Sequence, residues 1–195
     1  MRESLIDVTR LVDRTMQGRL PTGVDRVSLE YIRYFGHRAT ALVRFSGQWL
    51  ELSLADSERV FDALLSPADN FNSLVRRAVA RSFLGSVGRR FSDSRFFFNP
   101  GHSGLERAHY AHLLRRSALK PLYFVHDLIP VTHPEYCRPG EAARHRVRMD
   151  TMLSTGQGVI SNSAATLAEF AAYAKASASP IPETAVALLA PARLP

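Results

Sequence analysis

At 195 residues, 46% of them hydrophobic, the chain has the size and composition of one globular domain with a real core. No apolar run approaches the roughly 20 residues that span a bilayer, the opening MRESLIDVTRLV does not resemble a signal peptide, and one cysteine, Cys137, excludes an internal disulfide framework and fits a reducing cytosol. The net charge of +7 is carried almost wholly by arginine, which suits phosphates and carboxylates because its planar fork binds two oxygens at once, although a GC-rich coding sequence also favours arginine.

In chain order, Leu5 to Val8 reads as a first strand, with Asp7 and Thr9 near its end. A polar segment, Arg10 to Thr22, follows. Gly23 opens a helix whose apolar stripe is Val24, Val27, Tyr31 and Tyr34/Phe35. Strand, glycine-containing loop and helix make a candidate anion site, since free N–H groups point out of a helix start. The loop lacks GxGxxG and GxxxxGK[ST], so neither the dinucleotide nor the Walker pattern is present.

Thr40 to Phe45 and Gln48 to Leu52 read as two strands around Ser46-Gly47. Leu54 to Leu65 is a helix, and Asp69 is the expected N-cap of the next. That helix has Phe71, Leu74, Val75, Ala78 and Val79 on one side and Arg77 and Arg81 on another. Arg89, Arg90 and Arg95 follow in a looser segment with Phe83, Leu84 and Phe91. Such a basic amphipathic stretch suits either an anionic membrane surface or plain solvation.

Phe96 to Phe98 is a short strand ending in the loop Asn99-Pro100-Gly101-His102-Ser103-Gly104, before a helix from Leu105 to Arg116. Glu106, His109 and His112 there have i, i+3, i+6 spacing, not the i, i+4 spacing that sets two histidines on one zinc. Leu122 to Val125 reads as a buried strand ending in His126-Asp127, two titratable groups where the chain leaves the sheet. Ligands of open α/β sheets bind outside the carboxyl ends of strands, which makes this pair the leading candidate site. The alternative is an Asp capping the next segment and a His packed under a loop. Pro130 and Pro134 predict an irregular loop. Pro139 starts a helix to about Leu153 that carries Arg144 and Arg148. Gly158 to Ser161 is a strand, Ser163 caps a helix from Ala164 to Ala174, and Thr184 to Ala190 is a last strand before the tail Pro191 to Pro195. Strands alternating with helices predict an α/β, Rossmann-like fold with a mostly parallel sheet and helices on both faces.

Three segments resemble the N-terminal half of GT-B fold retaining glycosyltransferases of family 4, the group 1 type of bacterial polysaccharide enzymes. They are IDVTRLV with PTGVDRVSLEY, FFFNPGHSGL, and YFVHDLIPVTHPEYCRPGEAARHRVRM with GVISNSAATLAEF. The resemblance implies an acceptor-side domain over residues 1–190, with 191–195 as tail or start of a linker. The second, donor-binding domain and its acidic motif have no counterpart here, so a continuing reading frame or a partner chain is expected to supply them. It implies a nucleotide-sugar donor, a glycan or lipid-linked acceptor, and no cofactor or catalytic metal. His126 and Asp127 are then the expected catalytic pair, His126 hydrogen bonding to sugar or acceptor hydroxyls and Asp127 orienting or capping. Gly23 and Arg26 face phosphate charge, and Asn99 and His102 line the cleft. Ser161 is a substrate-side candidate that also serves as a helix-capping residue.

The expected location is cytoplasmic, at most peripheral on an anionic inner membrane face. A catalytically idle glycan- or partner-binding module is the competing reading. The scattered arginines, without any nucleic-acid-binding signature, argue against DNA or RNA as partner.

Overall fold

The structure is a computed structural model that describes residues 2–86 and 91–189; the expected arginines Arg89 and Arg90 and the tail lie outside the described residues. It is an α/β, Rossmann-like fold: seven strands among the described residues, mostly parallel, with helices between them. The chain divides into two compact units, Met1–Ser103 with Ser117–Leu119, and Gly104–Arg116 with Lys120–Pro195.

Unit one holds β1 (Ser4–Asp7), α1 (Thr9–Met16), α2 (Gly23–Phe35), β2 (Ala39–Phe45), β3 (Gln48–Glu51), α3 (Leu54–Leu65), α4 (Phe71–Ser86) and β4 (Phe96–Asn99). Its strand order is β3-β2-β1-β4. β1 pairs in parallel with β2 on one side and β4 on the other, so the chain reverses its direction of winding between β1 and β4. β3 is antiparallel to β2, through a turn in which Ser46 (φ 48°) and Gly47 (φ 76°) both take left-handed backbone.

Alternation along the strands sends Ile6, Ala41, Val43 and Leu50 into one core, where Val12, Ile32, Phe61 and Val75 of the four helices meet them. The opposite face is buried too, by Leu5, Leu42 and Phe97, as expected for parallel strands covered on both sides. Trp49 packs on Phe97 there, at 5.2 Å between ring centroids. Arg95 lies on that face in a two-bond pair with Glu51 (2.8 and 2.9 Å), and Thr40 Oγ1 donates to the same carboxylate at 2.8 Å.

Unit two holds α5 (Ala108–Arg115), β5 (Lys120–Val125), the single turn α6 (Ile129–Thr132), α7 (Glu141–Thr155), β6 (Gly158–Ser161), α8 (Ala164–Ala176) and β7 (Glu183–Val186), with strand order β5-β6-β7, all parallel. Tyr123, Phe124 and Val125 are fully buried, as are Met149 and Met152 of α7 and Phe170 of α8. Gly156 is required where α7 turns into β6: a Cβ there would lie 2.6 Å from the Met152 carbonyl.

Several expectations change: α5 begins at Ala108 rather than Leu105, α7 at Glu141 after a left-handed Gly140 rather than at Pro139, and β7 spans Glu183–Val186. The segment after β1 is not a polar loop: Thr9–Met16 is a helix, because Val8, Leu11 and Val12 share a buried stripe and Asp7 Oδ1 accepts the Thr9 N–H at 2.9 Å. The Asp127–Pro134 segment is not wholly irregular, since Pro130 falls in the first turn of α6, where its missing N–H is not needed. The chain enters α4 through Asn70, whose carbonyl takes the Leu74 N–H, one residue past the expected cap Asp69.

Candidate functional site

In unit one the polar residues gather at the carboxyl ends of β1, β2 and β4. The place where winding reverses, between β1 and β4, is where open α/β sheets form a crevice for ligands. Asp7, buried at the end of β1, is paired through Oδ2 with Arg44 Nε at 3.1 Å. The Arg44 backbone N–H donates to Thr9 Oγ1 at 3.0 Å, and its guanidinium donates to Ser103 Oγ. Arg44 therefore ties the ends of β1 and β2 to the loop that follows β4.

That loop is shaped by its own sequence. Asn99 is fully buried and its Nδ2 donates to the Ser103 carbonyl at 3.0 Å, closing a tight turn. Inside the turn His102 is buried with φ 58°, a left-handed conformation uncommon outside glycine but one that histidine adopts more readily than most side chains. Gly101 lies so near α1 that a Cβ would come within 3.1 Å of Arg10 Cδ.

Behind this loop, Asp25 takes Arg10 Nε and Arg14 Nε at 2.8 Å each, and the Thr22 N–H and hydroxyl at 2.8 and 2.7 Å. Burial works against its charge, but the hydrogen bonds from Thr22 and the positive Arg10 outweigh it and hold the carboxyl below the ordinary aspartate range. The first turn of α2 thus already carries a carboxylate, the acidic half of a capping box. Gly23 and Arg26 sit on the exposed side of this turn.

In unit two the site residues stand at the ends of β5 and β6. His126 is buried, its ring 4.7 Å from that of Phe124. Asn162 Nδ2 donates to the His126 carbonyl at 2.8 Å. That bond fixes the amide's orientation, because only the NH2 can face a carbonyl. Asn162 Oδ1 is consequently turned the other way, buried and without a hydrogen-bond partner among the described residues. Asp127 is half-buried; its Oδ1 accepts the Ile129 N–H at 3.1 Å, so it caps α6, and its carbonyl accepts from His145 Nε2 at 3.1 Å. Burial pushes the His145 imidazolium down from its usual range, against the pull of that carbonyl, and favours the neutral ring. Ser161 is fully buried and spends its hydroxyl locally, donating to the Ser163 carbonyl at 2.6 Å and accepting the Ser163 N–H at 3.2 Å. Ser163 Oγ accepts the Thr166 N–H at 3.1 Å and caps α8.

No family model, no curated protein and no solved structure matches this chain.

Asn99 and His102 come together in unit one, and His126, Asp127 and Ser161 in unit two, each set at strand ends. Sequence reasoning missed Arg44, Arg10, Asn162 and His145. Their signals were weak but present: Arg44 is a charge closing an apolar strand run, and His145 continues the buried stripe Met149, Met152, Leu153 backwards by one turn. Among the described residues no three His, Cys, Asp or Glu side chains are grouped to hold a metal ion, and no helix is long and apolar enough to cross a membrane.

Proposed function

We propose that this chain is the acceptor-side half of a retaining glycosyltransferase that uses a nucleotide-sugar donor and a glycan or lipid-linked acceptor. One observation carries the reading beyond the motif resemblance. At the end of β5 and β6 the buried Asn162 Oδ1, without a partner among the described residues, stands on the amide that holds the His126 backbone. A buried amide oxygen costs free energy unless a donor reaches it, and a sugar hydroxyl is such a donor.

In the proposed reaction the donor's anomeric C–O bond breaks and its electron pair leaves with the nucleoside diphosphate. The acceptor hydroxyl forms the new bond on the same face and passes its proton to the departing diphosphate oxygen. His126 hydrogen bonds to a hydroxyl of the sugar or acceptor. Asp127, through its cap on α6, positions the backbone after His126. Positive groups favour the developing phosphate charge on the leaving nucleoside diphosphate. The proposed setting is cytoplasmic.

The test is saturation-transfer NMR with UDP- and GDP-sugars and with free oligosaccharides, together with mass spectrometry for transfer products. The expected result is sugar binding that weakens about tenfold in Asn162→Ala and in His126→Ala, the value of about one hydrogen bond. Absence of sugar binding, or variants that bind like the wild type, would sink the reading. Binding unaccompanied by transfer in the native protein would select a glycan-binding module instead.

A further inference from the structure

Unit one also contains a cavity of about 540 Å3 between α1, the end of β2 and α4, within the usual size range of small-molecule sites. Its walls are apolar: Val12, Met16, Val43, Val75, Val79 and Phe83. The charged groups that border it are Asp13, Arg44 and Arg76. Arg44 is engaged with Asp7 and Ser103, whereas Arg76 is exposed and has no ion pair among the described residues. Phe45 and Phe83 meet edge to face at 6.4 Å and are both partly exposed, and Leu84 beside them is 84% exposed. α4 carries Arg76, Arg77 and Arg81 and no acidic residue along Phe71–Ser86.

We propose that this cavity holds one acyl chain of an anionic lipid, with the headgroup at Arg76. The size decides against a larger occupant: an α-helix is about 10–12 Å across with its side chains, whereas a single flexible hydrocarbon chain fits a slot of this volume. The charge decides the headgroup: Arg81 is taken up by Asp56, but Arg76, exposed and without an ion pair among the described residues, stands at the slot's border as the cation left for an anion, and exposed Phe83 and Leu84 extend the apolar surface outward, the composition of a segment lying at a lipid interface. This site lies within unit one and does not depend on the transfer reading.

The probes are 1-acyl-glycerol 3-phosphates with chains of 8, 10 and 12 carbons, titrated calorimetrically below their aggregation concentrations. Affinity is expected to rise about fourfold per methylene, the value of one buried CH2. Ala80→Trp, which places a bulky ring at the exposed cavity wall, is expected to abolish binding with an unchanged circular dichroism spectrum. Arg76→Glu is expected to weaken it about tenfold, as is replacing the probe by the uncharged monoacylglycerol. If Ala80→Trp does not fold, Phe83→Ser serves in its place and is expected to flatten the chain-length trend. No binding at any chain length overturns the proposal. So does a trend that the folded cavity variant leaves intact, or equal affinity for the uncharged monoacylglycerol.

Discussion

The two units fill the same architectural position, the carboxyl ends of parallel strands, with different chemistry. In unit one, side chains pair with side chains: Asp7 with Arg44, and Asp25 with Arg10 and Arg14. In unit two, side chains pair mostly with backbone: Asn162 with the His126 carbonyl, His145 with the Asp127 carbonyl, Ser161 with Ser163. Ion pairs fix unit one's loops strongly, but their removal leaves a charge behind. Neutral hydrogen bonds fix unit two's loops at lower stakes, and leave an amide oxygen unspent.

The sharpest break in this contrast is Asp7→Ala. The Asp7 carboxylate is fully buried and the Arg44 side chain only 11% exposed, so removal of one partner is expected to cost about 3–5 kcal/mol, read from urea unfolding. A loss below 1 kcal/mol would mean that Arg44 finds water, and the contrast would collapse. Asp25→Asn is next, at about 1.5–3 kcal/mol, since a charged acceptor with four partners becomes neutral. Its pH signature has a definite sign. The folded carboxyl lies below the ordinary value of 3.8, so its contribution is complete above that pH and is lost as the pH falls through the lower folded value. The difference between wild type and Asp25→Asn should be flat near neutrality and close only below about pH 3.8.

In unit two, Ser163→Ala removes the cap of α8 and should cost about 1 kcal/mol, visible as faster amide exchange over Ala164–Leu167. The smallest effect belongs to His145. Its folded pKa is lowered from 6.5, so the unfolded chain binds the proton first. Stability is complete above 6.5 and is lost as the pH falls through the folded value. Exchange measured along a pH series should therefore loosen unit two on mild acidification, while unit one holds until the Asp25 window. A His145 ring that titrates at or above 6.5 by NMR would remove the distinction.

Much of the fold was legible because local patterns carry it. The alternation in ATALVRF and the Ser46-Gly47 turn each need only a few neighbouring residues, whereas the stripe expected of α2 was misplaced: Val27 is buried, but Ile32 takes the core position and Tyr34 and Phe35 are exposed. α1 was hidden because arginine and threonine mask a stripe that begins outside the helix, at Val8. The ends of β5 and β6 were legible as a place, since a titratable pair after an apolar run marks a strand end. The partners were not. Asp7 and Arg44 are far apart in sequence and meet only because β1 and β2 align Asp7 with Leu42, and no local rule sets that alignment. Asn162 was likewise readable only as part of a turn, because its meaning comes from the His126 carbonyl on the neighbouring strand.

The Arg95–Glu51–Thr40 group has a consequence for how β3 finds its place. Glu51 sits opposite Leu42, and Leu50 opposite Val43. Sliding β3 by one residue would turn Glu51 into the apolar core and aim Leu50 at the Arg95 guanidinium. The misaligned strand would bury one charge and strand another, so the hairpin has a single acceptable alignment, and the group works as a proofreading element for the sheet's antiparallel margin.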